Sequence, residues 1–119
     1  MKFEDPEAQA GLQLALDVAG GTHTLGDVTR MILEGRAQLY ESDDAVIVTE
    51  VHQSPRVKAI HIWLATGTME GVIALSKLVL QEAKAMGCTS ATITGRKGWE
   101  RVGAQHGWKP LYTVLGQEL

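Results

Sequence analysis

Residues 57–86 read VKAIHIWLATGTMEGVIALSKLVLQEAKAM, and this stretch decides the fold. Val57–Leu64 is apolar and rich in β-branched side chains, the composition of a strand. Ala65-Thr66-Gly67-Thr68 turns the chain, and Met69–Met86 then carries apolar residues at helical spacing. Downstream, Thr89–Thr94 reads as a strand and Gly98–His106 as a short helix stopped by Gly107. Leu111–Leu115 alternates like a last strand. A strand that feeds through a glycine-bearing turn into a helix suits a phosphate, because free first-turn amides and the helix dipole both favour an anion. A nucleotide-like cofactor is therefore expected at Ala65–Gly71.

Working back from Val57, Asp5-Pro6 marks a helix start, with Leu12, Ala15, Leu16 and Ala19 as its apolar stripe and Gly20-Gly21 as its end. Thr24 and Asp27 have capping-box spacing, Leu25, Val28, Ile32 and Leu33 form the next stripe, and Gly35 suits the left-handed cap. Ala37–Tyr40 and Ala45–His52 flank the turn formers Glu41-Ser42-Asp43-Asp44, so they form a hairpin. Gln53-Ser54-Pro55-Arg56 makes a second hairpin to Val57–Leu64. The order is α-α-β-β-β-α-β-α-β: an α+β, or mixed α/β, chain of one domain spanning 1–119.

Composition narrows the function. The chain has 119 residues, enough to bury about two-thirds of its unfolded surface. A net charge of −3 disfavours binding nucleic acid through its phosphates. The tightest basic group, Arg96, Lys97 and Arg101, reads as a solvated helix flank. No run approaches the ~18 apolar residues of a membrane span. The first residues lack the apolar core of a signal peptide, and Cys88 is the sole cysteine, so a cytosolic setting is expected. Cys88 itself suits a small buried hydrophobe.

A four-residue loop at 53–56 would pair His52 with Val57. Ile47, Thr49 and Val51 then share a face with Ile60, Ile62 and Leu64, while Val46, Val48 and Glu50 lie beside Ala59, His61 and Trp63. Glu50 and His61 become diagonal neighbours and the one candidate pair for proton transfer, an imidazole oriented by a carboxylate. The structural alternative is a polar cross-strand pair that only stabilises the sheet. In the turn, Gly67 and Gly71 would let backbone amides approach an anion, although Glu70 in the first turn would repel it. His23, His52 and His106 sit at a cap, a hairpin and a helix end. No spacing looks like a metal site. Trp99 and Trp108 read as core anchors.

The segments LEGRAQLY, VIVTEV and GRKGWERVGAQHGWKP, in this element order, resemble the GCN5-related N-acetyltransferase (GNAT) superfamily. They are most similar to the small GNAT-like proteins of tailed bacteriophages and prophages. Gly107-Trp108 fill the family's Gly-aromatic pair before the last strand. The resemblance implies a mostly antiparallel sheet with helices on both faces, and acetyl-CoA as cofactor. Strand amides near Leu64 and Ala65 would hold the pantetheine arm; Gly67, Thr68 and Gly71 would line the phosphates; and Glu50 or His61 would deprotonate an amine acceptor. The family's phosphate motif is not matched: Thr66 stands at its Arg/Gln place and Met69 at its first glycine, while ending the motif on Gly67 puts Ile62 and Ala65 there. Gly103 stands where many members carry an acidic tyrosine. The expectation is therefore a noncatalytic, virion-associated, assembly or partner-binding protein, self-associating, in the host cytoplasm or the particle. An N-acetyltransferase is the alternative.

Overall fold

The computed structural model describes residues 1–119. Its elements are α1 (Pro6–Val18), α2 (Leu25–Leu33), β1 (Gln38–Glu41), β2 (Ala45–Gln53), β3 (Lys58–Gly67), α3 (Met69–Ala85), β4 (Ser90–Ile93) and α4 (Gly98–Ala104). The chain has a mixed α+β fold. One sheet runs β1-β2-β3-β4, antiparallel except for the parallel β3–β4 pair that α3 connects.

Local signals fix most boundaries. Thr24 caps α2 through a full capping box with Asp27, and Gly35 follows with φ +75°. Thr68 caps α3, its hydroxyl accepting from the Gly71 amide at 3.0 Å. At the far end of α3, Lys58 Nζ donates to the Met86 carbonyl at 2.7 Å, placing a cation on the negative helix terminus.

Helices cover both faces of the sheet, giving two cores. Leu12 and Leu16 of α1 and Val28 of α2 pack with Val46, Val48 and Leu64. Val72, Leu75 and Val79 of α3 pack with Ile47, Ile60 and Ile62 on the other side. Cys88 and Trp108 pack against this second cluster.

The sequence-based register needs two corrections. The hairpin pairs Gln53 with Lys58 and His52 with Ala59, so the register moves two residues from the expected His52–Val57 pair. The loop is Ser54–Val57, closed by a hydrogen bond from the Ser54 amide to the Val57 carbonyl at 2.9 Å. A β-bulge then interrupts the ladder: Thr49 pairs with Ile62 but Val48 pairs with Leu64, leaving Trp63 as the extra residue. Beyond that residue the alternation of β3 is inverted. Leu64 therefore joins the α1/α2 core rather than the face of Ile60 and Ile62.

The inversion also turns Thr66 toward α1. A Cβ added at Gly11 of α1 would lie 1.9 Å from Thr66 Oγ1, so only glycine allows this close approach. Strand β3 runs on through Gly67, leaving only Gly67-Thr68 to turn the chain.

The C-terminal strand expected at Leu111–Leu115 does not form, and residues from Trp108 onward lie outside any helix or strand. Nothing in this chain pairs with them. Trp99 is not a core anchor either, being 38% exposed. A helix as short as α4 buries no residue fully.

Candidate functional site

The turn expected to cradle phosphate is held by the chain itself. Gly67 adopts φ +129° and lies so close to the β1–β2 turn that an added Cβ would be 2.1 Å from the Asp44 carbonyl oxygen. That carbonyl accepts from the Thr68 amide at 3.0 Å, and the Asp44 carboxylate accepts from the Thr68 hydroxyl at 3.0 Å. The same carboxylate lies against Gly71, where an added Cβ would meet Oδ1 at 2.4 Å.

These contacts use up the donors an incoming anion needs. The Thr68 amide goes to Asp44, the Gly71 amide to the Thr68 hydroxyl, and the Val72 amide to the Thr68 carbonyl. At most the amides of Met69 and Glu70 are left at this helix end. A carboxylate beside the first turn of α3 complements the helix dipole as a phosphate would. Asp44 thus lies beside the first turn of α3, accepting from the Thr68 hydroxyl and from no backbone amide of the helix.

The surrounding charge points the same way. A cleft of about 360 Å³ beside the turn is lined by Glu7, Asp43, Asp44, Thr66, Gly67, Thr68 and the N-terminal residue Met1. Three of these are carboxylates, set against one cation, the Met1 ammonium, which donates to the Asp43 carbonyl at 2.8 Å. Two like charges about 4 Å apart repel by about 4 kcal/mol at an effective dielectric of about 20. A pyrophosphate entering here would have to displace Asp44 and still face its neighbours.

Leu64 is buried and turned to the α1/α2 core, and Ala65 is partly buried against the α3 core. Pairing between β3 and β4 stops at Ile62 and Ile93, so the backbone of residues 63–66 has no strand partner on that side.

Glu50 and His61 sit directly opposite each other rather than diagonally, because of the register change. Yet the structure splits the expected pair. The Glu50 carboxylate is nearest His52, at 3.7 Å from its Nε2. His61 Nδ1 is 2.7 Å from the Thr92 hydroxyl, and Nε2 is 3.2 Å from the Thr94 hydroxyl. Both imidazole nitrogens are thereby engaged by β4 and the residue just beyond it.

His61 is almost wholly buried, and its ring stacks on His52 with centroids 5.0 Å apart. Burial holds its pKa below the ordinary 6.5, and repulsion from His52 adds to this, while Glu50 pulls the other way. A neutral, doubly engaged imidazole fits a structural tie between β3 and β4. On the same sheet face, His23 meets Trp63 edge-on at 4.8 Å.

Sequence reasoning missed Asp44, His52, Thr92 and Thr94. Asp44 read as an ordinary turn former, and no local pattern tells which helix end a turn will reach. The threonines carried a usable signal, since Thr92 and Thr94 alternate on one face of the strand that follows α3. No group of three or more His, Cys, Asp or Glu could hold a metal ion. No helix is long and apolar enough to cross a membrane.

No family model matches the chain, and no curated protein does. Solved structures match along nearly its whole length. Glucosamine-6-phosphate N-acetyltransferase from Arabidopsis thaliana superposes with a TM-score of 0.66 at 12% identity, covering 99% of this chain and 94% of that one. Ribosomal-protein-alanine N-acetyltransferase from Brucella melitensis gives 0.62 at 9% identity, over 91% and 90% of the two chains. An acetyltransferase from Trypanosoma brucei gives 0.62 at 10%, over 93% and 94%. At such identities the likeness is one of fold: the chain is built as GNAT acetyltransferases are.

Proposed function

We propose that this protein uses the GNAT fold as a noncatalytic binding or assembly module rather than as an acetyltransferase. The observation that carries this reading is Asp44, whose carboxylate lies against Gly71 and the Thr68 hydroxyl, beside the helix end where the fold would receive the acetyl-CoA pyrophosphate. Thr66 and Met69 in place of the motif's cation or amide and its glycine support the same reading. So does the split of Glu50 from His61, whose ring nitrogens meet the Thr92 and Thr94 hydroxyls instead of a carboxylate. The resemblance of the sequence to small phage GNAT-like proteins favours a virion-associated or assembly role in the host cytoplasm, with protein partners.

Calorimetric titration with acetyl-CoA and with CoA tests this. The native protein should give no heat of binding up to millimolar ligand. Asp44→Ala should bind CoA measurably more tightly, because it frees a helix end and removes a charge. Micromolar binding by the native protein would overturn the reading.

One observation favours the second reading, N-acetyl transfer from acetyl-CoA to an amine. Pairing of β3 with β4 ends at Ile62 and Ile93, which leaves backbone at Leu64 and Ala65 without a strand partner on that side and able to pair with a pantetheine arm. In that case Gly67, Thr68 and Gly71 would line the phosphates once Asp44 withdrew. The amine would lose its proton to Glu50 or His61 as it attacked the thioester carbonyl, and CoA would leave as the thiol. The double variant Glu50→Ala, His61→Ala should abolish any such turnover, and unchanged turnover would remove both residues as bases.

A further inference from the structure

Every buried residue of this chain lies between Phe3 and Ala83. Both cores are therefore complete before β4 begins, and Cys88, Ala91 and Trp108 pack on the second as partly buried neighbours. Helix α4 buries nothing fully, and apart from β3 no element packs extensively on β4 or α4. A four-residue parallel ladder and the Thr89 amide, which donates to the Lys58 carbonyl at 2.9 Å, hold β4 to β3. One side chain adds to them: His61, whose ring nitrogens lie 2.7 Å from the Thr92 hydroxyl and 3.2 Å from that of Thr94. Elements with so little buried surface open locally, ahead of global unfolding.

We propose that His61 is an acid-operated latch: taking up a proton there releases β4 and α4 from the sheet while the two cores stay folded. A neutral imidazole donates at one nitrogen and accepts at the other, and two hydroxyls can answer both. The closed site has little to offer a cation. His61 is 8% exposed, and β4 and the residue beyond it face the ring with hydroxyls alone. The charged groups acting on it both come from β2: His52, stacked with centroids 5.0 Å apart, and Glu50. That carboxylate lies 3.7 Å from His52, so in acid two imidazoles share one counter-charge. The connection between α1 and α2 brings His23 to Trp63.

Burial and His52 outweigh Glu50, and they hold the closed imidazole below the ordinary 6.5. Opening returns the ring to water, where it takes a proton first. Well above pH 6.5 neither form holds that proton, and pH does not move the latch. Below it the open form is charged and the closed form resists, so the open population rises by at most about tenfold per pH unit. The open form presents the β3 edge, Ala59–Ile62, that β4 otherwise covers. An active and an inactive GNAT domain would open alike.

Native-state hydrogen exchange of the full chain, read by NMR above and below pH 6.5, tests this once rates are corrected for intrinsic exchange. Protection of the Ser90–Ile93 and Gly98–Ala104 amides should fall below that pH, by up to about tenfold per unit. It should stay below the protection of Leu75 and Val79 in α3 throughout. His61→Gln should remove the pH dependence, and His23→Gln should leave it in place. Equal protection of β4 and α3 would overturn the proposal, as would a fall that survives in His61→Gln. Histidine ring resonances give a second reading that needs no variant. The His61 signals should move over the pH range in which β4 loses protection; a ring that titrates while β4 stays protected would sink the latch.

Discussion

The carboxylate of Asp44 rests against the α-carbon of Gly71, so that a turn between two strands closes the N-terminus of the longest helix. The two glycines beside Asp44 should respond differently to a methyl group. At Gly67 the added carbon meets backbone, the Asp44 oxygen at 2.1 Å and the Ala45 α-carbon at 2.7 Å, in a left-handed conformation with φ +129°. Gly67→Ala should cost about 2–4 kcal/mol. At Gly71 it meets only the end of a side chain that can swing away. Alanine there gains about 1 kcal/mol of helix propensity and forfeits about as much in charge–dipole stabilisation. Gly71→Ala should therefore lie within about 1 kcal/mol of native. Urea unfolding midpoints check the contrast.

Asp44→Ala should lower stability by about 1 kcal/mol, the usual net worth of a side-chain hydrogen bond, here the one its carboxylate accepts from the capping Thr68 hydroxyl. Sulfate or phosphate should restore part of this in the variant, since the vacated helix end can take an external anion. Thermal unfolding with and without phosphate reads the effect. Equal stabilisation of native and variant would show that the helix end had not been opened.

His61 makes stability depend on pH in a defined direction. Its folded pKa lies below the ordinary 6.5, through burial first and the His52 charge second. Well above pH 6.5 the imidazole is neutral folded or unfolded, and it contributes no slope. Below that value the unfolded chain takes up a proton that the folded chain resists, so stability falls until the folded imidazole also titrates. As pH falls through 6.5, His61→Gln should show a flatter dependence than native. Matching slopes would place the titration elsewhere.

Tyr40 carries the opposite dependence at high pH. Burial, with the Glu82 carboxylate next in weight, pushes its hydroxyl from 10.0 up to about 12. The unfolded chain ionises first, so stability should decline as pH rises from 10.0 toward 12, and less so in Tyr40→Phe. Ultraviolet titration of phenolate absorbance should show one tyrosine ionising late, and this late component should vanish in Tyr40→Phe.

Element order was legible because short-range chemistry fixes it. Thr24 with Asp27, Gly35, Thr68 and the 69–85 periodicity all did locally what their residue types do elsewhere. Register was not legible. The Ser54–Val57 loop and the bulge at Trp63 are settled by which side chains the two helical layers accept, and composition does not carry that information. The site suffered for the same reason. Glu50 and His61 were placed on one face correctly, but their hydrogen-bond partners came from β4, a strand some thirty residues further along. Leu111–Leu115 was read as a strand from its alternation, and within one chain it finds no strand to join.

The bulge at Trp63 lets β3 carry one more residue than the strand opposite it needs. The residues beyond it keep the pairing that a regular strand one residue shorter would have, so Thr66 meets α1, and α1 can approach only with a bare α-carbon at Gly11. Deleting Trp63 would leave Leu64 opposite Val48 and Thr66 against Gly11. A relative that has lost the extra residue should therefore still carry a glycine at that place in the helix. The strand insertion and the helix glycine would then be inherited as separate characters.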